Sequence, residues 1–171
     1  MDQSSHQRLF RGAGVLLGLG LGGFFDGIVL HQILQWHHMV SSVGFFDPAT
    51  APGLKANTFA DGLFHVGTYL LTIAGLALLW AAGQRGQWGT RRQLTGLLLS
   101  GWGLFNLGEG IVDHLILGIH HVNETVPRAQ WIWWDLTFLV WGASMIVLGW
   151  WLWRIDQRSE VAFSPGPETR T

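Results

Sequence analysis

Two phrases in this chain put carboxylates and imidazoles in the same order. "DGIVLHQILQWHH" runs from Asp26 to His38, and "EGIVDHLILGIHH" from Glu109 to His121. Both lie inside long apolar runs. Carboxylates and imidazoles there are costly, and they normally turn inward to bind an ion, relay protons or pair with one another. A second local signal is Asp61 with His65, four residues apart and so on one face of a helix, a usual spacing for two metal ligands. Asp135 stands in a similar place in the last apolar run. Imidazole suits zinc, copper and iron, and mixed His and carboxylate sets suit zinc or iron in particular. The chain has no cysteine, which removes thiolate ligands and disulfides.

The ligands expected from depth and spacing are His31, His65 and His114, followed by Asp61 and Asp135. His38 and His121 share helical faces with His31 and His114, and Asp113 shares one with Glu109. All are candidate ligands of one ion, or of two. Asp26 and Glu109 lie deeper and are candidate proton carriers in a catalytic reading. Asp26 and His31 are five apart, roughly 140° around an ideal helix. They cannot both face one small ion unless Gly27 marks a distortion. His37 and His120 stand at the mouth as ligands, an entry relay or solvated residues.

The elements that hold these groups are read from composition. The 171 residues are 49% hydrophobic and 12% charged, with 11 tryptophans and 24 glycines. That is the composition of a membrane protein. Four stretches are long enough to span a bilayer: about 12–36, 59–82, 95–119 and 131–153. The first is too long and too polar for a cleaved signal. The fold expected is all-α, an integral membrane four-helix bundle forming one domain over residues 1–158. Residues 159–171 read as a disordered cytoplasmic tail. Arginines 8, 11, 85, 91, 92, 154 and 158 flank one side, so both termini are expected in the cytoplasm. Tryptophans 36, 131, 133, 134, 150, 151 and 153 fit the interfaces. Net charge is −1, so nucleic acid is not an expected partner; the lipid bilayer is.

A shift of 83 residues aligns 18–38 with 101–121, with 11 of 21 positions identical, three histidines among them. Asp61 aligns with Asp135, and Phe64 with Phe138, in the weaker second match. The expected architecture is therefore two parallel-related helical hairpin repeats with a pseudo-twofold axis along the membrane normal. Gly14, Gly18 and Gly22 form a small-residue stripe suited to close helix packing, within the chain or in a homodimer.

Three functional classes follow. One is a metalloprotein of the bundle type, acting as an oxidoreductase or hydrolase or handling metal as an accessory protein. The histidine boxes HxxxH and HxxHH of membrane di-iron oxygenases are missing, which counts against oxygenase chemistry. Another is a b-type haem protein with His31 and His114 as axial ligands. The third is a metal-free proton relay or accessory subunit of a respiratory complex.

The segments "DGIVLHQILQWHHM", "ADGLFH" and "GEGIVDHLILGIHHV" resemble a family of bacterial four-helix predicted membrane proteins, known as a domain of unknown function. The resemblance covers about residues 8–155. It implies a bacterial inner membrane location, and a respiratory oxidase assembly partner with copper or haem handling.

Overall fold

The structure, a computed structural model, describes residues 7–162, with side chains described as far as 155. All regular structure in this range is helical. Helix α1 is Arg8–Phe25 and continues as a π-helix over Asp26–Ile33. Helix α2 is Ala51–Gln84 and α3 is Arg91–Glu109, the latter continuing as a π-helix over Gly110–Leu117. Helix α4 is Trp131–Ala162, preceded by a 3₁₀ turn at Arg128–Gln130. The last helix thus extends into the tail expected to begin at 159; residues 163–171 lie outside the described range.

Local chemistry accounts for the helix starts. The Thr50 hydroxyl caps α2 by accepting from the Gly53 amide, and Pro52 sits in the first turn, where a missing N–H costs nothing. Thr90 and Gln93 form a capping box at α3, each side chain satisfying the other's backbone amide. Helix α2 starts eight residues before the expected apolar stretch because this cap, not hydropathy, sets its beginning.

Helices α1 and α3 form the central pair. Helix α2 flanks α1, and α4 flanks α3. Aromatic side chains bridge the remaining gaps, Phe64 with Phe105 and Phe25 with Trp141. Helices α1, α2 and α4 are long and apolar enough to cross a membrane. Helix α3 carries Glu109 and leads into the π-segment with Asp113, and it lies between α1 and α4. Large apolar residues such as Leu70, Trp80, Val140 and Trp150 are exposed, whereas Asn57, Gln93 and Asn106 are buried. An apolar exterior of this kind needs lipid around it.

Glycines set the central crossing. A Cβ on Gly18 would lie 2.3 Å from the Leu98 carbonyl oxygen and 2.8 Å from Gly101 Cα. A Cβ on Gly101 would lie 2.2 Å from the Val15 carbonyl oxygen and 2.9 Å from Gly18 Cα. These contacts are reciprocal under the 83-residue shift. Gly14 and Gly22 also face α3, against Leu97, Trp102 and Phe105. The stripe of Gly14, Gly18 and Gly22, read as a face for packing within the chain or in a homodimer, is occupied within the chain. Helix α3 of the same chain covers that face, because only glycine lets the two backbones come so close.

Candidate metal centre

The site is built where both central helices change their winding. A π-helix closes hydrogen bonds from i to i+5, so a residue comes to lie nearly over the one five earlier. Asp26 and His31 thereby face the same way, with His31 Nε2 2.9 Å from Asp26 Oδ2. The distortion that Gly27 could mark is present, and it begins beside that residue. Gly110, the matching position, opens the second π-segment. No Cβ fits at Gly27 without meeting His65 Nε2 at 2.7 Å.

Each π-segment then stops and the chain turns back over the site. Gln35 takes the left-handed conformation at φ 50°, and Gly118, its match, does so at φ 58°. A turn at these positions brings the histidine pairs in from the loops. Trp36 N donates to Leu30 O at 2.9 Å, and Ile119 N to Asp113 O at 3.0 Å, again matching contacts. The two loops also exchange bonds. Ser42 N donates to Ile119 O at 3.0 Å, and Glu124 N to Trp36 O at 2.9 Å. Asn57 holds the first loop onto α2, accepting from Val40 N at 3.0 Å and donating to Phe46 O at 2.6 Å.

Consecutive histidines divide their work. His37 Nδ1 donates to the Val122 carbonyl at 2.9 Å, and His120 Nδ1 to the Met39 carbonyl at 3.0 Å. A carbonyl only accepts, so both rings carry a proton on Nδ1 and turn Nε2 inward. Their rings stack at 4.6 Å with 5° between planes. His31 lies 4.2 Å from His37, and His114 4.8 Å from His120, centroid to centroid. Burial, then the neighbouring His31, pushes His120 down to about 4. Burial and the nearby imidazoles hold His37 well below the usual histidine range. Both are neutral at pH 7, the form that binds a metal.

His38 and His121 point the other way, to the flanking helices. Asp61 accepts from His38 Nδ1 at 2.8 Å, His31 Nδ1 at 2.8 Å and Met39 N at 2.9 Å. Asp135 accepts from His121 Nδ1 at 2.7 Å and Val122 N at 3.0 Å, with His114 Nδ1 farther away at 3.5 Å. The side chains of His38 and His121 are 18% and 22% exposed and mark the open end of the site.

The inward atoms are ring nitrogens and carboxylate oxygens that face one another. His37 Nε2 and His114 Nε2 are buried with no hydrogen-bond partner, while His31 Nε2 faces Asp26 Oδ2 at 2.9 Å and the Asp26 and Glu109 carboxylates face each other. His120 Nε2 faces Glu109 Oε1 at 3.4 Å. Asp26, His31, His37, Glu109, His114 and His120 are each at most 7% exposed. Donor atoms from His31, His37, Glu109 and His120 all lie within 4.8 Å of one another, a grouping able to hold a metal ion. At metal–ligand distances of 2.0–2.1 Å, ligand atoms lie no more than about 4 Å apart, so a bound ion would draw this set inward by under 1 Å.

Of the residues expected from sequence, His31, His114, Asp26 and Glu109 come together at the centre. Asp61, Asp135, His38 and His121 form the layer that orients it. His65 is not among the converging donors. Its Nδ1 donates to the Asp61 backbone oxygen at 2.8 Å, and its ring lies against Phe24 and Phe64. The Asp61 carboxylate points away to His31 and His38, so the shared face of the Asp61/His65 pair does not create a shared site. Asp113 is half-buried one turn beyond Glu109. Sequence reasoning left the roles of His37 and His120 open. The signal for them was the doubled histidine itself: past a helix end, adjacent side chains diverge, and one of each pair must face in.

Comparison with curated proteins and with solved structures finds no match. The family model for predicted membrane proteins, DUF2243, matches residues 13–156, which take in both π-segments, both histidine pairs and most of the four helices. The chain belongs to that family of membrane proteins.

Proposed function

We propose that this protein binds a divalent transition metal ion in a closed histidine–carboxylate centre, with His31, His37, His120 and Glu109 as ligands. One observation carries the reading. Lone pairs of imidazoles and carboxylates face each other in a buried space, while the opposite ring nitrogens are tied to carbonyls and carboxylates. Such tied rings are the usual support for a metal. A proton on His31 would serve Asp26 alone. It would leave His37 Nε2 and His114 Nε2 as unsatisfied buried acceptors, each a substantial cost. Three imidazoles and a carboxylate suit zinc or iron, and the imidazoles alone can hold copper.

Haem is the less suited cofactor. The stacked rings of His37 and His120 fill the space beside His31 and His114 that a porphyrin would need. The arginine pattern supports a bacterial inner membrane orientation with both termini cytoplasmic and the centre near the outer face. Ions would reach it past His38 and His121. Metal handling and metal-dependent catalysis both start from this centre.

Elemental analysis of protein purified without a histidine tag tests the proposal. Stoichiometric zinc, iron or copper, lowered in His31→Ala and His120→Ala, is the expected result. Metal-free protein that takes up none of these ions on titration sinks it, and a Soret band would replace it with the haem reading.

A further inference from the structure

One ion does not use the site up. With His31, His37, His120 and Glu109 engaged, His114 Nε2 remains buried without a partner, and the buried Asp26 carboxylate would lose its contact with His31 Nε2 to that ion. His114 is 2% exposed and Asp26 1%. Leaving these groups bare is costly, and the fold has positioned them with care. His114 approaches Asp135 as His31 approaches Asp61. Its ring lies against His120 as His31 lies against His37.

Charge leads to the same conclusion. Asp26, Asp61, Glu109 and Asp135 bring four carboxylates into one buried cluster. Among the described ion pairs, their partners are histidines throughout, with no lysine or arginine. Buried carboxylates need compensating cations, and an imidazole that binds a metal through Nε2 gives up the proton that would make it one. Two divalent ions would neutralise four carboxylates.

We infer that the centre holds a pair of divalent ions, one on His31 and His37, the other on His114 and His120, with the facing carboxylates of Asp26 and Glu109 shared between them. Each ion receives two imidazoles from one half of the chain. Asp26 and Glu109 face each other closely enough to share hydrogen-bonding contact, where bridging ligands would sit. Inward carboxylates and histidines from facing helices are a known way for a bundle to hold two metals. The inference rests on the metal-binding reading above and adds the second ion.

Zinc titration of the untagged, detergent-solubilised protein, followed by removal of free zinc and elemental analysis, tests it. The expected content is about two zinc per chain. His114→Gln and His31→Gln should each fall to about one, with the size-exclusion profile of the parent retained. About one zinc in the parent, unchanged by His114→Gln, overturns the pair and leaves the single centre standing. About two zinc in both parent and His114→Gln overturns the ligand assignment. No zinc in the parent overturns this inference, and the same result with iron and copper also removes the metal-binding reading.

Discussion

At the scale of residues, function depends on which nitrogen of each ring is tied. His37 and His120 give Nδ1 to backbone carbonyls, so their Nε2 atoms are left to face the centre. His37→Ala or His120→Ala should lower zinc affinity tenfold or more, measured by competition with a chelator. Asp61 works through other groups, since it holds His31, His38 and the Met39 amide at once. Asp61→Asn keeps the shape but weakens that grip, and a 10–100-fold loss of affinity is expected. His65→Ala should retain full metal stoichiometry, because its Nε2 is not among the donor atoms gathered within 4.8 Å of one another. Loss of metal in that variant would put His65 back among the ligands.

At the scale of elements, the π-segments bring acid and imidazole to one side. In an α-helix, Asp26 and His31 diverge by roughly 140°. Inserting one alanine after Ile28 should put Asp26 and His31 six apart, roughly 240° around an α-helix, and carry the carboxylate away from the ring. The expected outcome is loss of bound metal with helical content by circular dichroism unchanged. Metal retained at parental level would show that the winding is incidental. The repeated phrase, its acids and its histidines were all legible in the sequence. The winding was not, because the i to i+5 register is stabilised by groups far away: Asp61 on His31, and the loop folded back at Gln35. The helix ends were displaced for a related reason, since Thr50 and the first loop, rather than hydropathy, decide where α2 begins.

At the scale of the molecule, polar groups fill the inside and apolar ones the outside, with α1 crossing α3 at Gly18 and Gly101. Gly18→Ala would push a methyl into the Leu98 carbonyl, which belongs to a helix backbone and cannot swing aside. A destabilisation of about 1–3 kcal/mol is expected from thermal unfolding in detergent. Gly62→Ala, with nothing within 4 Å, is the matched control and should be neutral. A reporter fused after Thr171 should read cytoplasmic and a tag within 47–56 external; the opposite result would reverse the access route to the site. Composition and hydropathy by themselves determined the helical membrane class, and an 83-residue echo determined which residues correspond between halves. Those are properties of residue type and spacing, readable one helix at a time. Only the tertiary structure decided that His37 and His120 face inward while His65 stays apart, and that the glycine stripe is used within the chain. Each depends on where a loop crosses to the other half, and on bonds between residues some 80 positions apart, such as His37 to Val122 and His120 to Met39. No local pattern records contacts over that distance.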